Sequence, residues 1–329
     1  MGAKGAWRKK VNERLERDFA VAECAGMPLV PGNISVRNAL RLRAEAGLVL
    51  EPLHGMFVRT THWNGLPRQT QILYLMRGLQ KKHPNWIFSH QSAAVAHGLP
   101  VARWHLSEVH IVLPPGAHAR RSPGCTFHIS TCEAPCVTMR IQVTPIEQTV
   151  LDCACTLPFR DGLAIADAAA RFYHIDAARM LAYAVEHGGG KRGIRHARMV
   201  FTSADGRAES WGESVARALM IELGFEVPQL QVDIELPEHL GGPRRVDFLW
   251  TLPDGSSIIG EFDGKEKYAM GSGGDGGSLD VLLEERQRES RLTVLRAAIV
   301  RFTFEDLKDP LGFTALLDSF GVPHARKRG

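Results

Sequence analysis

Apolar positions recur along this chain with two periods, three to four residues in some stretches and two in others, predicting helices and strands respectively. Residues 7–25 place Val11, Leu15, Phe19 and Ala22 on one stripe, and Gly26 supplies the stop. A second helix is expected from Val36 to Ala46, capped by Asn33 or Ser35 and closed by Gly47. Val36, Ala39, Leu40 and Ala44 are expected to face inward on it, with Arg37, Asn38, Arg41 and Arg43 facing outward. Leu48–Leu53 and His54–Arg59 read as two short strands around a turn, the shape of a wing. An arginine-rich helix followed by a small hairpin suits DNA, the helix in the major groove and the wing on the backbone. A solvated basic helix face is the plainer alternative.

A helix is expected over Arg68–Lys82, striped by Ile72, Leu75, Met76 and Leu79. A short strand, Trp86–His90, leads into a short helix, Gln91–Pro100, with a glycine stop. Ser92, His90 and His97 invite a nucleophile reading, but no acidic partner or elbow glycines accompany them, so capping is the better account. Val109–Leu113, Thr126–Ile129 and Val137–Val143 predict a small sheet, with the basic tip His118-Ala119-Arg120-Arg121 able to touch phosphates. Helices follow from Thr144, over 159–174 and over 176–186. Asp152 and Asp167 read as caps or buried hydrogen-bond acceptors. Gly188–Gly193 is a hinge-like break without the lysine and hydroxyl spacing of a phosphate loop. A basic helix, Gly193–Phe201, comes next.

In the last third, Glu209–Met220 predicts a helix on which Glu213 and Arg217, one turn apart, can pair. Pro228–Ile234 predicts a strand. Arg244–Tyr268 then reads as two strands joined by the turn Pro253-Asp254-Gly255-Ser256. Asp247 and Glu261 can approach across that hairpin, and Asp263 shares the face of Glu261 because side chains repeat every two residues. Three carboxylates at strand ends, with Lys265 and Lys267 beyond, can hold a hard cation and stabilise phosphoryl transfer. Exposed hairpins also carry acids with no role. Here, however, the acids interleave with Ile259 and Phe262, and buried carboxylates are costly unless paired or metal-bound. A flexible Gly271–Ser278 loop, a charged helix Leu282–Leu295, a strand Ile299–Phe302 and a helix Leu311–Phe320 complete the chain.

A length of 329 residues predicts two or three domains, and 44% apolar content is enough to give them cores. The net charge of +4 permits a nucleic-acid partner without requiring one. Six cysteines in a chain with a basic start but no apolar signal core are expected to stay reduced. Cys125-x-x-His128 with Cys132 and Cys136 has a zinc-like spacing but lacks paired knuckles, and Cys153 and Cys155 read as small core residues. No apolar run reaches bilayer length, so no membrane partner and a cytoplasmic location are expected.

Two resemblances sharpen these expectations. Leu40-Arg41-x-Arg43-x-x-x-Gly47-Leu48, Gly55-Met56-Phe57-Val58, Ser89-His-Gln-Ser-Ala-Ala with His97-Gly-Leu-Pro, and Thr149-Val-Leu-Asp152 resemble the winged-helix and adjoining region of AbiEi-like type IV antitoxins. Only one clear helix precedes the arginine-rich one, where that family has a helix-turn-helix pair. Val246-Asp247-Phe248 with Glu261-Phe-Asp263-Gly264, in an order of helix, strand, strand, strand, Arg-rich helix, strand over about 203–304, resembles the PD-(D/E)XK fold of very-short-patch-repair-like endonucleases. The likeness implies that Asp247, Glu261 and Asp263 bind Mg²⁺ or Mn²⁺, that Glu213 completes the metal shell or orients water, and that Gln231 is a polar neighbour. It also implies that Arg286, Gln287 and Arg288 contact the scissile phosphate or buttress the acids. Asp263 stands where that fold usually has lysine, and Lys265 would have to swing back to serve.

The expected architecture is α+β and multidomain: a winged helix over 1–62, a small α/β adaptor over 63–200, and a restriction-endonuclease-like α/β domain with a mixed sheet over 201–329. The expected function is DNA binding with Mg-dependent phosphodiester hydrolysis. The alternative is an antitoxin-type transcriptional regulator whose nuclease-like domain does not cut, with a cognate toxin protein as a possible partner.

Overall fold

The structure, a computed structural model, describes residues 3–117, 122–235, 242–264 and 297–325, with side chains from residue 12. It forms two compact units, Met1–Thr156 and Leu157–Gly329. The three-part division expected from sequence is finer, and its boundaries at 62 and 200 lie inside these units. The class is mixed α/β with mixed sheets, and among the described residues no helix is long and apolar enough to cross a membrane.

The first unit begins with helix α1, Ala3–Cys24, and helix α2, Ile34–Glu45. Asn33 caps α2, its Oδ1 accepting from the Val36 amide at 2.9 Å. Strands β1, Val49–Leu53, and β2, Met56–Arg59, pair antiparallel, Leu53 facing Met56 across a tip where Gly55 has φ +72°. Leu15, Phe19, Leu40, Val49 and Phe57 close one core. After α3, Thr60–Asn64, comes α4, Arg68–Lys82, with the bounds the apolar stripe predicted.

A five-stranded mixed sheet follows in the order β5-β4-β3-β7-β6, with β3 at Ile87–Phe88, β4 at Val109–Leu113, β5 at Cys125–Ile129, β6 at Cys136–Thr138 and β7 at Ile141–Val143. The single strand expected over 137–143 is therefore a hairpin. Met139 and Arg140 turn it with φ of +50° and +65°, a conformation their side chains do not advertise. Helices α5, His90–Ala96, and α6, Ile146–Thr156, belong to the same unit.

The second unit contains α7 Phe159–Tyr173, α8 Ala177–His187, α9 Ile194–Thr202 and α10 Trp211–Glu222. Its four-stranded sheet runs β11-β10-β9-β8, with β8 at Gln229–Ile234, β9 at Arg244–Thr251, β10 at Ser257–Asp263 and β11 at Ala297–Thr303. β8, β9 and β10 are antiparallel neighbours, while β11 lies parallel to β10. The expected turn joins β9 to β10: Gly255 has φ +82°, and the Ser256 amide donates to Asp254 Oδ1 at 3.0 Å. Phe248, Trp250, Phe302 and Phe313 pack with Leu219 and Met220 of α10 and with Leu317 of the last helix, α11, Pro310–Ser319.

Candidate functional site

The acids expected to carry chemistry belong to α10, β9 and β10. Gly212 lets the start of α10 approach β10: a Cβ there would lie 2.1 Å from Phe262 Cε1. Ser210 caps the helix, its side chain accepting from the Glu213 amide at 3.1 Å. These two residues bring Glu213 to the sheet, where it is 7% exposed.

Gln231 joins Glu213 to the strands. Its Nε2 donates to Glu213 Oε2 at 2.9 Å and to Asp247 Oδ1 at 3.2 Å. It stands between the register pairs Leu230–Phe248 and Val232–Val246, opposite Asp247, and holds φ at +53°. A non-glycine residue in the left-handed region within a strand carries strain of about 1–3 kcal/mol, and such strain clusters at functional sites. Asp247 also accepts from the Phe262 amide through Oδ2 at 2.9 Å. Glu261, 7% exposed, faces Arg301 in the parallel register and accepts from its Nε at 3.2 Å, with Arg244 Nη2 at 4.0 Å.

The electrostatics follow from this crowding. Burial pushes the Glu213 carboxyl up, and the Asp247 charge adds to the effect against the hydrogen bonds that pull it down. Burial also pushes Asp247 up, and Glu261 and Glu209 repel its charge. Glu209 is itself drawn to Arg245 at 3.4 Å and Arg171 at 3.6 Å.

Asp263 is exposed at the end of β10, although period two gives it the side of Glu261. Lys265, Arg286, Gln287 and Arg288 lie outside the described residues. Among the described residues no three His, Cys, Asp or Glu side chains converge closely enough to hold a metal ion as they stand. Carboxylates suit a hard cation in kind, but an amide and two guanidinium groups attend this set.

The pairing of Glu213 with Arg217 expected from helical spacing does not form. Arg217, 2% exposed, turns instead to Asp167 of α7, its Nη2 contacting both carboxylate oxygens at 2.8 Å. Its Nη1 donates to the Ser203 carbonyl at 2.6 Å. Asp167 is thus a buried acceptor, as its sequence suggested.

On α2, Asn38 and Arg41 are exposed as expected, while Arg37 and Arg43 are half-buried. Arg43 donates to the Ala39 carbonyl at 2.9 Å and to Asn12 of α1, so helix packing takes up part of its donor capacity. In α5, Ser92 Oγ accepts from the His110 amide at 2.8 Å, and at its C-cap His97 Nε2 meets the Thr144 carbonyl at 2.9 Å, both structural uses.

Sequence reasoning named Gln231 but missed Arg244, Glu209 and Arg301. The Arg301 partnership depends on β11 lying parallel to β10 in one register, which no local pattern encodes. Arg244 lies within the quoted hairpin, and its nearness to Val246-Asp247 was the available signal.

No family model matches this chain, and no solved structure does. Two relatives do match: "Uncharacterized protein MT2308" of Mycobacterium tuberculosis (strain CDC 1551 / Oshkosh) and "Uncharacterized protein Rv2248" of Mycobacterium tuberculosis (strain ATCC 25618 / H37Rv). Each is 32% identical over 219 residues, spanning 66% of this chain and 75% of the relative. The chain belongs to the family of these mycobacterial proteins.

Proposed function

We propose that this protein binds DNA and that its second unit is a restriction-endonuclease-like domain hydrolysing phosphodiester bonds with Mg²⁺ or Mn²⁺. The observation that carries the reading is the gathering of Glu213, Asp247 and Glu261 in a largely buried place where burial and like charge raise the carboxyls of the first two. Groups so perturbed, with a strained Gln231 among them, cluster at functional sites. The order of α10, β8, β9, β10 and β11 supports it, being the order of the PD-(D/E)XK fold apart from the Arg-rich helix expected from sequence, whose residues lie outside those described.

In this reading Asp247 and Glu261 hold the metal with Asp263 at the rim. The metal supplies positive charge at the phosphate and acidifies water. Gln231 fixes the Asp247 and Glu213 carboxylates relative to each other, so the acids meet substrate in one arrangement. Arg301 and Arg244 hold Glu261 in place. In the first unit α2 and the β1–β2 hairpin form a winged helix, with Asn38 and Arg41 toward the groove.

The test is nicking of supercoiled plasmid with Mg²⁺ or Mn²⁺ by the full chain and by Asp247→Ala and Glu261→Ala. Nicking by the wild type that falls at least about 100-fold in both variants is expected, and Gln231→Ala should lose about 10-fold, as residues orienting metal ligands do. Equal nicking by all proteins, or none by any, removes the reading.

One observation favours a second reading: Arg301 and Arg244 already compensate Glu261, and Asp263 occupies the lysine place. A regulator of the antitoxin type, with a unit that binds without cutting and a cognate toxin as partner, would use such a site. Salt-dependent promoter binding without nicking selects it.

A further inference from the structure

The β1–β2 tip gathers two cations from distant parts of the first unit. Gly55 is buried, and a Cβ placed on it would lie 3.5 Å from Lys82 Nζ and 3.9 Å from Arg37 Nη2. Lys82, in the last turn of α4, donates to the His54 carbonyl at 3.0 Å, so the hairpin itself holds that ammonium at the tip. Arg37 reaches the same place from α2, and its Nε is buried with no hydrogen-bond partner. The near acid, Glu51, also reaches the tip, accepting from the Gly55 amide at 2.6 Å and lying 3.6 Å from His54 Nδ1, so it offsets one of the two positive charges and leaves the tip with a net excess.

Like charges brought to one place repel, more strongly near protein than in open water. An oxyanion between them reverses that sign. Guanidinium offers two parallel donors and ammonium a point charge, a combination suited to phosphate oxygens. Glycine at φ +72° leaves no Cβ at the tip, which lets Lys82 and Arg37 come this close to it.

We infer that Arg37, Lys82 and the hairpin tip at Gly55 form a phosphate clamp that grips one backbone phosphodiester of DNA. The inference rests on the DNA-binding reading above and adds Lys82, a residue of α4, to its interface.

The clamp is tested in two arms. In the first, binding of a labelled duplex is followed by fluorescence anisotropy across salt concentrations, for wild type, Lys82→Ala and Lys81→Ala. Each removes one exposed charge from α4, at adjacent positions. Loss of one phosphate contact lowers the slope of log affinity against log salt by about 0.9, expected for Lys82→Ala and not for Lys81→Ala. Equal slopes for the two variants overturn the clamp while leaving DNA binding intact. In the second arm, inorganic phosphate is titrated against the ¹⁵N-labelled chain. The amides of His54, Gly55 and Met56 should shift saturably in wild type and stay still in Lys82→Ala. Phosphate shifts without duplex binding keep the clamp and sink the DNA reading, whereas no shift in wild type overturns the clamp.

Discussion

Helix α10 carries two buried charged residues one turn apart, and the structure treats them in opposite ways. Arg217 is closed off against Asp167, with the Ser203 carbonyl taking an Nη1 donor while its Nε stays buried without a hydrogen-bond partner among the described residues. Glu213 is set among acids, where it accepts from the Gln231 side-chain amide and from the Glu209 backbone N–H and, among the described residues, has no cation of its own. Opposite charges buried together are costly to separate. Like charges buried together oppose folding, and persist where they do something else. The contrast separates the strut of this unit from its candidate site without appeal to motif.

The sharpest way to break that contrast is Arg217→Ala. It leaves Asp167 buried without its partner, and removing one member of a buried pair costs about 3–5 kcal/mol. Urea unfolding should show a loss of that size. A loss below about 1 kcal/mol would mean the pair is no strut.

A control comes from the first unit, where three imidazoles crowd together. The His90 and His128 rings stack at 3.6 Å, and His110 Nδ1 lies 2.9 Å from His128 Nε2. Burial, and then the His128 charge, lowers His110 to about 4. A histidine lowered in the fold is charged first in the unfolded chain. Its stabilising effect is therefore complete above about pH 6.5 and is lost as pH falls toward 4. Urea titrations between pH 7 and 4 should show up to about 3 kcal/mol lost, flattened in His110→Gln. An unchanged profile in the variant would take the effect away from this cluster and leave burial alone unable to explain strain here.

The smallest expected effect sits in the acid cluster. A carboxyl raised in the fold destabilises it at pH above the folded value, because the unfolded chain ionises more readily. Asp247→Asn removes the repelled charge and keeps an acceptor for the Phe262 amide but sets an NH2 against the Gln231 donor, so the net gain in stability at pH 7 should be below about 1 kcal/mol while any nicking is abolished. Destabilisation instead would make the cluster a strut like Arg217.

Much of the secondary structure was written locally. The stripe of Ile72, Leu75, Met76 and Leu79 fixes α4, and Pro253-Asp254-Gly255-Ser256 fixes the β9–β10 turn, because periodicity and turn chemistry act over a few residues. The acids at Asp247 and Glu261 were legible for the same reason, being a short distance from that turn on alternating strands. Partner choice was not. Helical spacing puts Glu213 and Arg217 within reach of each other, but α7 offers Arg217 a carboxylate deep in the core, and Gln231 with φ +53° reaches Glu213 first. Likewise the composition of α2 predicted an exposed basic face, while contact with α1 took part of Arg43 and the hairpin tip drew in Arg37. Sequence thus determined which segments form and which charges they bear. Only the packing of distant segments, which sets burial and therefore the energy of each charge, decided which of them are satisfied and which are left for a ligand.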